Sequence, residues 1–202
     1  MSFTPEKLAA LRARFGGANE AVIHDPHFRA VAANVIDDSG TRSAPYAGMP
    51  TLLDAPARQV DWTQPDFGDL QVALLGVPMD LGASNRSGCR FGPRALRAIE
   101  RVGPYNHALK CAPVRELRVA DIGDVPMRSR YSLEQSHEDI HAAYEKLVAD
   151  GVAPLSVGGD HSVTLPILRA LGARQPVALV HFDAHCDTGG PFDGSRFHHG
   201  GP

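Results

Sequence analysis

Alternating ionisable residues, Asp183-Ala-His-Cys-Asp187, directly follow an apolar segment at residues 177–182. That segment is rich in β-branched residues, which predicts a buried strand. If the extended conformation continues, alternate side chains share one face, so Asp183, His185 and Asp187 converge on a small volume. Two carboxylates and an imidazole side by side are costly unless they share a cation. The run therefore predicts a metal site.

A second segment supplies a further candidate ligand, His161. Residues 153–157 form another short apolar run, and the glycine pair Gly158-Gly159 separates it from a helical pattern at residues 160–171. In open α/β sheets, ligands bind beyond the carboxyl ends of the strands, so His161 is expected beside the 183–187 run. Taken alone, His161 would be interpreted as a satisfied polar residue and Asp160 as a helix cap.

The donor types indicate which metal the site prefers. Carboxylate oxygens with a minority of imidazole nitrogens, and no thiolate facing the site, favour a hard or borderline ion such as Mn²⁺ over structural zinc. Carboxylates that can bridge also favour two ions. The four ligands His161, Asp183, His185 and Asp187 are too few for two ions, so others are expected elsewhere.

Apolar runs typical of strands alternate with helical patterns from residue 72 onward. The strands are predicted at residues 72–77, 117–122, 153–157 and 177–182, and the helices at 93–102, 133–150 and 160–171. Ser132-Leu-Glu-Gln135 is a capping box that begins the second of these helices. This order predicts an α/β fold with a parallel, helix-covered sheet.

Other polar residues offer rival sites. Asp121 lies in the predicted strand at residues 117–122 and Asp124 follows it; both are alternative metal ligands, although they could equally cap turns. His137 and His141 have the i, i+4 spacing of a metal pair, but their helix is charged on several faces, which favours solvated or half-buried histidines.

The loop after the first strand could face a substrate through Asp80, Asn85 and Arg86, or these residues could serve only a turn and a solvated charge. The three cysteines fit neither a disulfide framework nor a zinc pattern. Cys186 is expected to pack on the face opposite the ligands. Reduced thiols agree with a cytoplasmic protein.

The composition of the chain limits the kinds of partner that are expected. The chain has 202 residues, 43% of them hydrophobic, and a net charge of −3, which suits a globular protein and gives no reason to expect nucleic acid or an anionic membrane as partner. No apolar run approaches the length of a membrane span, and the first residues lack the apolar core of a signal peptide.

Several motifs together resemble those of a known family. The blocks Gly158-Gly-Asp-His-Ser162 and His181-Phe-Asp-Ala-His-Cys-Asp-Thr188 are similar to the first two signature blocks of the ureohydrolases, the family of arginase, agmatinase, guanidinobutyrase and formimidoylglutamase. Three further stretches agree with this family: Gly76 to Gly82, Gly88 to Arg94 and Phe197 to Pro202. Residues 46–51 resemble a segment of the agmatinase-like members.

The resemblance implies a three-layer sandwich, with helices on both faces of a mostly parallel sheet, and a pair of manganese ions. It implies hydrolysis of a guanidino compound, agmatine or 4-guanidinobutyrate, to an amine and urea by a hydroxide that bridges the ions. His161 and His185 would each bind one ion, Asp183 would bridge them, and Asp187 would join the His161 ion and act as a base. His199 would be the proton-shuttling histidine, with His198 as the alternative. A homotrimer or homohexamer is also implied.

The family's third block, whose two aspartates complete both metal spheres, has no counterpart before Pro202. The chain is therefore expected to comprise a helix and arm at residues 1–69 and the first part of the ureohydrolase domain at residues 70–202, with roughly a third of that domain missing. Alone, such a fragment is expected to be inactive. The alternatives are a non-catalytic partner of a complete homologue, a mononuclear metal-binding module, and specificity for arginine, guanidinopropionate or formimidoylglutamate.

Overall fold

The computed structural model describes residues 3–15, 46–99 and 105–202. Contacts divide the chain into two compact units, residues 1–48 with 101–116, and residues 49–100 with 117–202. The described part of the first unit contains helix α1 (Pro5–Phe15), the short helix α3 (Pro113–Glu116) and a bridge between Asn106 and Cys111. Residues 16–45 of the predicted arm lie outside the described residues.

The second unit is built on a parallel sheet of three strands. The strands are β1 (Val72–Val77), β2 (Val119–Asp124) and β3 (Ala153–Gly158), in the order β2-β1-β3. Val72 pairs with Val119 on one side and with Ala153 on the other. The prediction of a parallel α/β sheet and of these three strands is confirmed.

Helices cover both faces of the central strand β1. Helix α2 (Gly92–Arg97) lies on the face of Gly76, where a Cβ atom would come within 2.7 Å of the Pro93 Cβ atom. Helix α4 (Leu133–Ala149) covers the opposite face, and Ala73, Leu75 and Val77 share a buried cluster with Ile140, Tyr144 and Leu147. Helix α5 (Thr164–Leu171) packs beside α4. The sheet is thus the middle layer of a sandwich.

The ends of the helices follow the local sequence. Ser132 caps α4 because its hydroxyl oxygen accepts the Gln135 N–H at 3.2 Å, as the capping box predicts. The helix predicted at residues 93–102 ends sooner, at Arg97. Part of the predicted arm belongs to the sheet unit, since Leu52 and Phe67 are buried there.

The strand predicted at residues 177–182 is wrong. The segment has no regular secondary structure, and Val180 and Phe182 are 79% and 94% exposed. A strand that is apolar on both faces is stable only where neighbouring strands and helices cover it. Among the described residues no strand pairs with this segment, and β3 remains at the edge of the sheet.

Among the described residues, no helix is both long and apolar enough to cross a bilayer.

Candidate metal centre

The turn after β3 places His161 at the carboxyl ends of the strands. Asp160 fixes this turn, because its two carboxylate oxygens accept the N–H groups of Ser162 and Gly82, each at 2.8 Å. A side chain at Gly159 would lie only 2.5 Å from the carbonyl oxygen of Val77, and φ there is +79°, so the turn requires glycine. Asp160 therefore has the cap role expected of it, and the next residue, His161, reaches Asp187.

Asp183 is the centre of a cluster of imidazoles. Its Oδ1 accepts the backbone N–H of His185 at 2.8 Å and lies 3.3 Å from Nδ1 of the same residue. Its Oδ2 lies 3.6 Å from Nδ1 of His161 and 3.5 Å from Nε2 of His181. One carboxylate therefore faces three histidines.

Asp187 approaches the same cluster from the other end of the run. Its Oδ2 lies 2.6 Å from Nδ1 of His161, and its side chain is only 13% exposed. Donor atoms lie within 4.8 Å of one another in two groups, His161 with His181 and Asp183, and Asp183 with His185 and Asp187. Asp183 belongs to both groups, which is the arrangement that a bridging carboxylate needs.

The electrostatics of the cluster favour an ionised carboxylate. The His185 backbone N–H lowers the pKa of Asp183 below its usual value, and the neighbouring imidazoles act in the same direction, although desolvation opposes them. Asp183 is therefore anionic at neutral pH, the state that binds a cation.

His181 is a member of the cluster that the sequence interpretation did not assign. Its ring lies 5.0 Å from the ring of His161, centroid to centroid. The signal was present, because residues 181, 183, 185 and 187 continue one alternation, but His181 was counted as part of the buried strand.

The structure places His199 beside the loop that follows β1. Its Nε2 lies 2.8 Å from the Ser84 hydroxyl, and its backbone N–H donates to the Gly82 carbonyl at 3.0 Å. His198 instead contacts the Gly190 carbonyl at 2.9 Å. Neither residue belongs to the two donor groups found among the described residues.

Comparison with known proteins decides the family, because the model of the arginase family matches residues 70–202, about two thirds of the chain. The chain belongs to the arginase family. Guanidinopropionase from Pseudomonas aeruginosa is 44% identical over 159 residues, which are 78% of this chain and 48% of that protein. Mitochondrial agmatinase from Gallus gallus is 47% identical over 135 residues, 66% of this chain and 39% of that protein. The chain thus spans about half the length of these relatives or less.

Solved arginase-family structures share the fold. Proclavaminate amidino hydrolase from Streptomyces clavuligerus matches with a TM-score of 0.68 and 32% identity, over 79% of this chain and 52% of that one. A Trypanosoma cruzi formiminoglutamase with Mn²⁺ matches with a TM-score of 0.56 and 27% identity, over 66% and 46%. These matches confirm the arginase-like sandwich.

The rival metal ligands Asp121 and Asp124 have other partners in this arginase-family chain. Asp121 is buried and accepts hydrogen bonds from Arg97 through both carboxylate oxygens, at 2.8 and 2.9 Å. Asp124 accepts from the same guanidinium at 2.6 Å. A carboxylate committed to arginine has little capacity left for an ion, so these residues stabilise the sheet and α2.

The three residues of the loop after β1 that could face a substrate lie in different surroundings. Asp80 is buried and accepts from the Gly88 backbone N–H at 2.6 Å and from Arg90 Nε at 2.5 Å, so it fixes the loop. Asp80 also lines a cavity of about 280 Å³ at the carboxyl ends of β1 and β2. Asn85 and Arg86 are exposed.

Two further interpretations are wrong. Cys186 is exposed rather than packed, because the segment before it is not a buried strand. His137 is only 6% exposed rather than solvated or half-buried, because the start of α4 packs against the turn that carries His161.

Proposed function

We propose that this protein is a manganese-dependent hydrolase that cleaves a guanidino compound, agmatine or 4-guanidinobutyrate, to an amine and urea. The observation that carries the proposal is the position of Asp183, which is shared by two groups of metal-binding side chains. A shared carboxylate is typical of two-ion centres. The arginase-family relatives named guanidinopropionase and agmatinase support a guanidino substrate.

The donor set fits manganese. Oxygen and imidazole donors of Asp183, Asp187, His161 and His185 suit a borderline divalent ion, and the related formiminoglutamase structure has Mn²⁺ in its description. When bound, two such ions lower the pKa of a water molecule so that hydroxide is present near neutral pH.

The chain's own residues would hold the ions and move protons. His161 and His185 would each bind one ion through Nδ1, the nitrogen that faces Asp183. Oδ2 of Asp187, close to His161 and poorly exposed, is suited to take a proton from water and return it to the leaving amine. His199, exposed and in contact with the Ser84 hydroxyl, is suited to exchange protons with solvent.

The distal end of the substrate distinguishes the candidates. Agmatine ends in an ammonium group and 4-guanidinobutyrate in a carboxylate, whereas the reacting guanidinium is common to both. Relatives of similar identity carry names for both kinds of substrate. We infer the shared chemistry, and a comparison of substrates decides between them.

Manganese binding tests the centre directly. Asp183→Asn keeps the shape of the side chain but removes the charge that both donor groups share, so we expect Mn²⁺ affinity to fall by about 10–100-fold. Electron paramagnetic resonance of free Mn²⁺, titrated into the full chain, measures this. Asp193→Asn is the matched control, since Asp193 lies in an exposed loop at φ +46°, where asparagine is tolerated. Equal affinities in the two variants would refute the site.

Turnover is tested in a complete domain. In a chimera, this chain replaces the aligned half of the Pseudomonas guanidinopropionase, and urea release is measured with agmatine, 4-guanidinobutyrate, 3-guanidinopropionate and arginine. We expect urea from at least one compound and none after Asp183→Asn. A folded chimera that binds Mn²⁺ but releases urea from none of the four compounds would contradict the hydrolase proposal.

A further inference from the structure

His137 is a buried histidine outside the donor groups, and it contacts both segments that surround the metal centre. It lies in the first turns of α4 and is 6% exposed. Its Nε2 lies 3.2 Å from the hydroxyl oxygen of Ser162. Its ring contacts that of Phe197 in a tilted arrangement, with the ring centroids 4.7 Å apart and the planes at 45°. Ser162 directly follows His161, and Phe197 precedes the two histidines of the last segment.

The hydrogen bonding of the ring selects one tautomer. Nδ1 of His137 is buried and has no hydrogen-bond partner among the described residues. An unpaired buried N–H costs more than an unpaired lone pair, so the proton belongs on Nε2, where it donates to Ser162 Oγ. Burial lowers the pKa of His137, which keeps the ring neutral at neutral pH.

The side chain of Ser162 transmits this contact to the turn. Ser162 is 1% exposed, its N–H donates to Asp160, and a Cβ atom on Gly82 would lie only 2.5 Å from its hydroxyl oxygen. These contacts hold the Ser162 side chain in place against the turn. Because His161 is the preceding residue of the same 3₁₀ turn, its orientation depends on that position.

The contact with Phe197 acts on the other side of the centre. Residues 189–202 have little regular structure, and Phe197 is one of their few half-buried apolar side chains. An aromatic ring packed on a fixed imidazole limits the movement of that segment. His137 therefore connects the rigid helix α4 to both the His161 turn and the segment that carries His199.

We propose that His137 is a positioning residue, which sets the orientation of His161 through the Ser162 hydroxyl and anchors the final segment through Phe197. This inference rests on the proposed metal centre. Histidine ligands depend on residues behind them for orientation, and removal of such a residue typically weakens metal binding by about 10–100-fold. Removal of His137 is therefore expected to weaken metal binding itself and not only the stability of the fold.

Mn²⁺ titration of the full chain, followed by electron paramagnetic resonance, tests the proposal. We expect His137→Phe, which keeps the packing but loses the donor, to weaken Mn²⁺ binding by about 10–100-fold. His137→Gln, which can still donate to Ser162, should recover most of that loss. Ser162→Ala should weaken binding, and the double variant should be no worse than the worse single variant, because both changes remove one hydrogen bond.

His141→Phe is the matched control. His141 lies one turn further along α4 and contacts the Pro166 carbonyl of α5 at 3.3 Å rather than the His161 turn. We expect its Mn²⁺ affinity to equal that of the unmodified chain. Long-range ¹H–¹⁵N NMR should show the His137 proton on Nε2, and a proton on Nδ1 would overturn the hydrogen-bond assignment.

The outcomes separate this inference from the proposed function. If the unmodified chain binds Mn²⁺ and folded His137→Phe binds it equally well, the positioning role is overturned and the metal centre stands. Equal losses in His137→Phe and His141→Phe would also overturn the role, since the helix alone would account for them. If the unmodified chain binds no Mn²⁺, the metal centre fails and the inference fails with it. If His137→Phe does not fold, His137→Gln and Ser162→Ala decide.

Discussion

Asp121 lies within strand β2 and Asp183 directly follows an apolar segment, and their carboxylates meet different partners. Asp121 is buried and accepts from the Arg97 guanidinium and from the Leu52 N–H at 2.8 Å. Asp183 has a side chain that is 26% exposed and faces imidazole nitrogens at 3.3–3.6 Å. Bidentate arginine satisfies a carboxylate completely, whereas these longer contacts leave lone pairs available. The first residue is structural, and the second is suited to a cation.

We predict that Asp121→Asn lowers the free energy of unfolding by about 1.5–3 kcal/mol, because Arg97 keeps Asp124 but loses its charge-assisted hydrogen bonds to Asp121. Chemical denaturation at pH 7 measures this. Asp69→Asn is the control, since Asp69 is exposed and lies 3.4 Å from the exposed Arg118, a pair that contributes about 1 kcal/mol or less. Similar losses in the two variants would contradict the assigned role of Asp121.

The same pair predicts a pH dependence. Burial would raise the pKa of Asp121, but hydrogen bonds from Arg97 and from the Leu52 and Gly123 N–H groups lower it below the ordinary 3.8. A carboxyl group whose pKa is lowered in the folded state stabilises the fold at pH values above its ordinary pKa. This stabilisation is lost as the pH falls through the pKa of the folded state. The difference in the free energy of unfolding between the unmodified chain and Asp121→Asn should therefore shrink below about pH 4. A difference that stays constant down to pH 2 would contradict the ion pair.

At the level of residues, the sequence revealed the ligand candidates but not their partners. The run from Asp183 to Asp187 stands out because alternation is a local pattern. The pairing of Arg97 with Asp121 and the contact of His137 with Ser162 join residues that are 24 and 25 positions apart. No local pattern encodes such pairs, so the burial of His137 could not be predicted.

Among the elements, β1 and α2 approach each other closely. Gly76 faces α2, and a Cβ atom there would lie 2.7 Å from the Pro93 Cβ atom and close to the Asp124 carboxylate. Because Asp124 also binds Arg97, any displacement of α2 reaches both aspartates on β2. The absence of a side chain at one strand position thus sets the distance between two layers.

Gly76→Ala is predicted to destabilise the fold by about 1–3 kcal/mol through overpacking against the Asp124 carboxylate and Pro93. Thermal or chemical unfolding followed by circular dichroism measures the loss. Gly190→Ala is the control, because no atom lies within 4 Å of a Cβ at that site. If both variants unfold alike, α2 does not pack as closely on β1 as described.

The strands could be predicted where their surroundings confirm the local pattern. β1 is an apolar run that becomes a central strand, paired on both sides and covered on both faces. Residues 177–182 have an equally apolar sequence but lie exposed without a partner strand among the described residues. Periodicity indicates what a segment can become, but it does not show whether neighbours cover it.

Within the sheet unit, residues 173–202 are irregular and attach to the sheet through a few contacts. Asp187 contacts His161, and the His199 backbone N–H donates to the Gly82 carbonyl. A cation bound by both His161 and Asp187 would add a further link between the His161 turn and the final segment. Metal should therefore reduce local opening of this segment.

Limited trypsin digestion tests this connection. Cleavage after Arg196, an exposed residue between the two contacts, should slow by up to about 100-fold at a Mn²⁺ concentration 100 times Kd. Cleavage after Arg14, in helix α1 of the other unit, should not change. Mn²⁺-independent cleavage at Arg196 would show that the ion does not join the final segment to the His161 turn.

The position of β3 at the edge of the sheet bears on how copies of the molecule meet. Its outer side presents backbone N–H and C=O groups without a strand partner among the described residues, and Leu155 on it is 51% exposed. Such an edge is a template for a strand from another molecule. Pro154 removes one donor from the edge. We therefore expect copies of this chain to pair along β3 at high concentration, and dilution or a charged substitution at Leu155 should suppress this pairing.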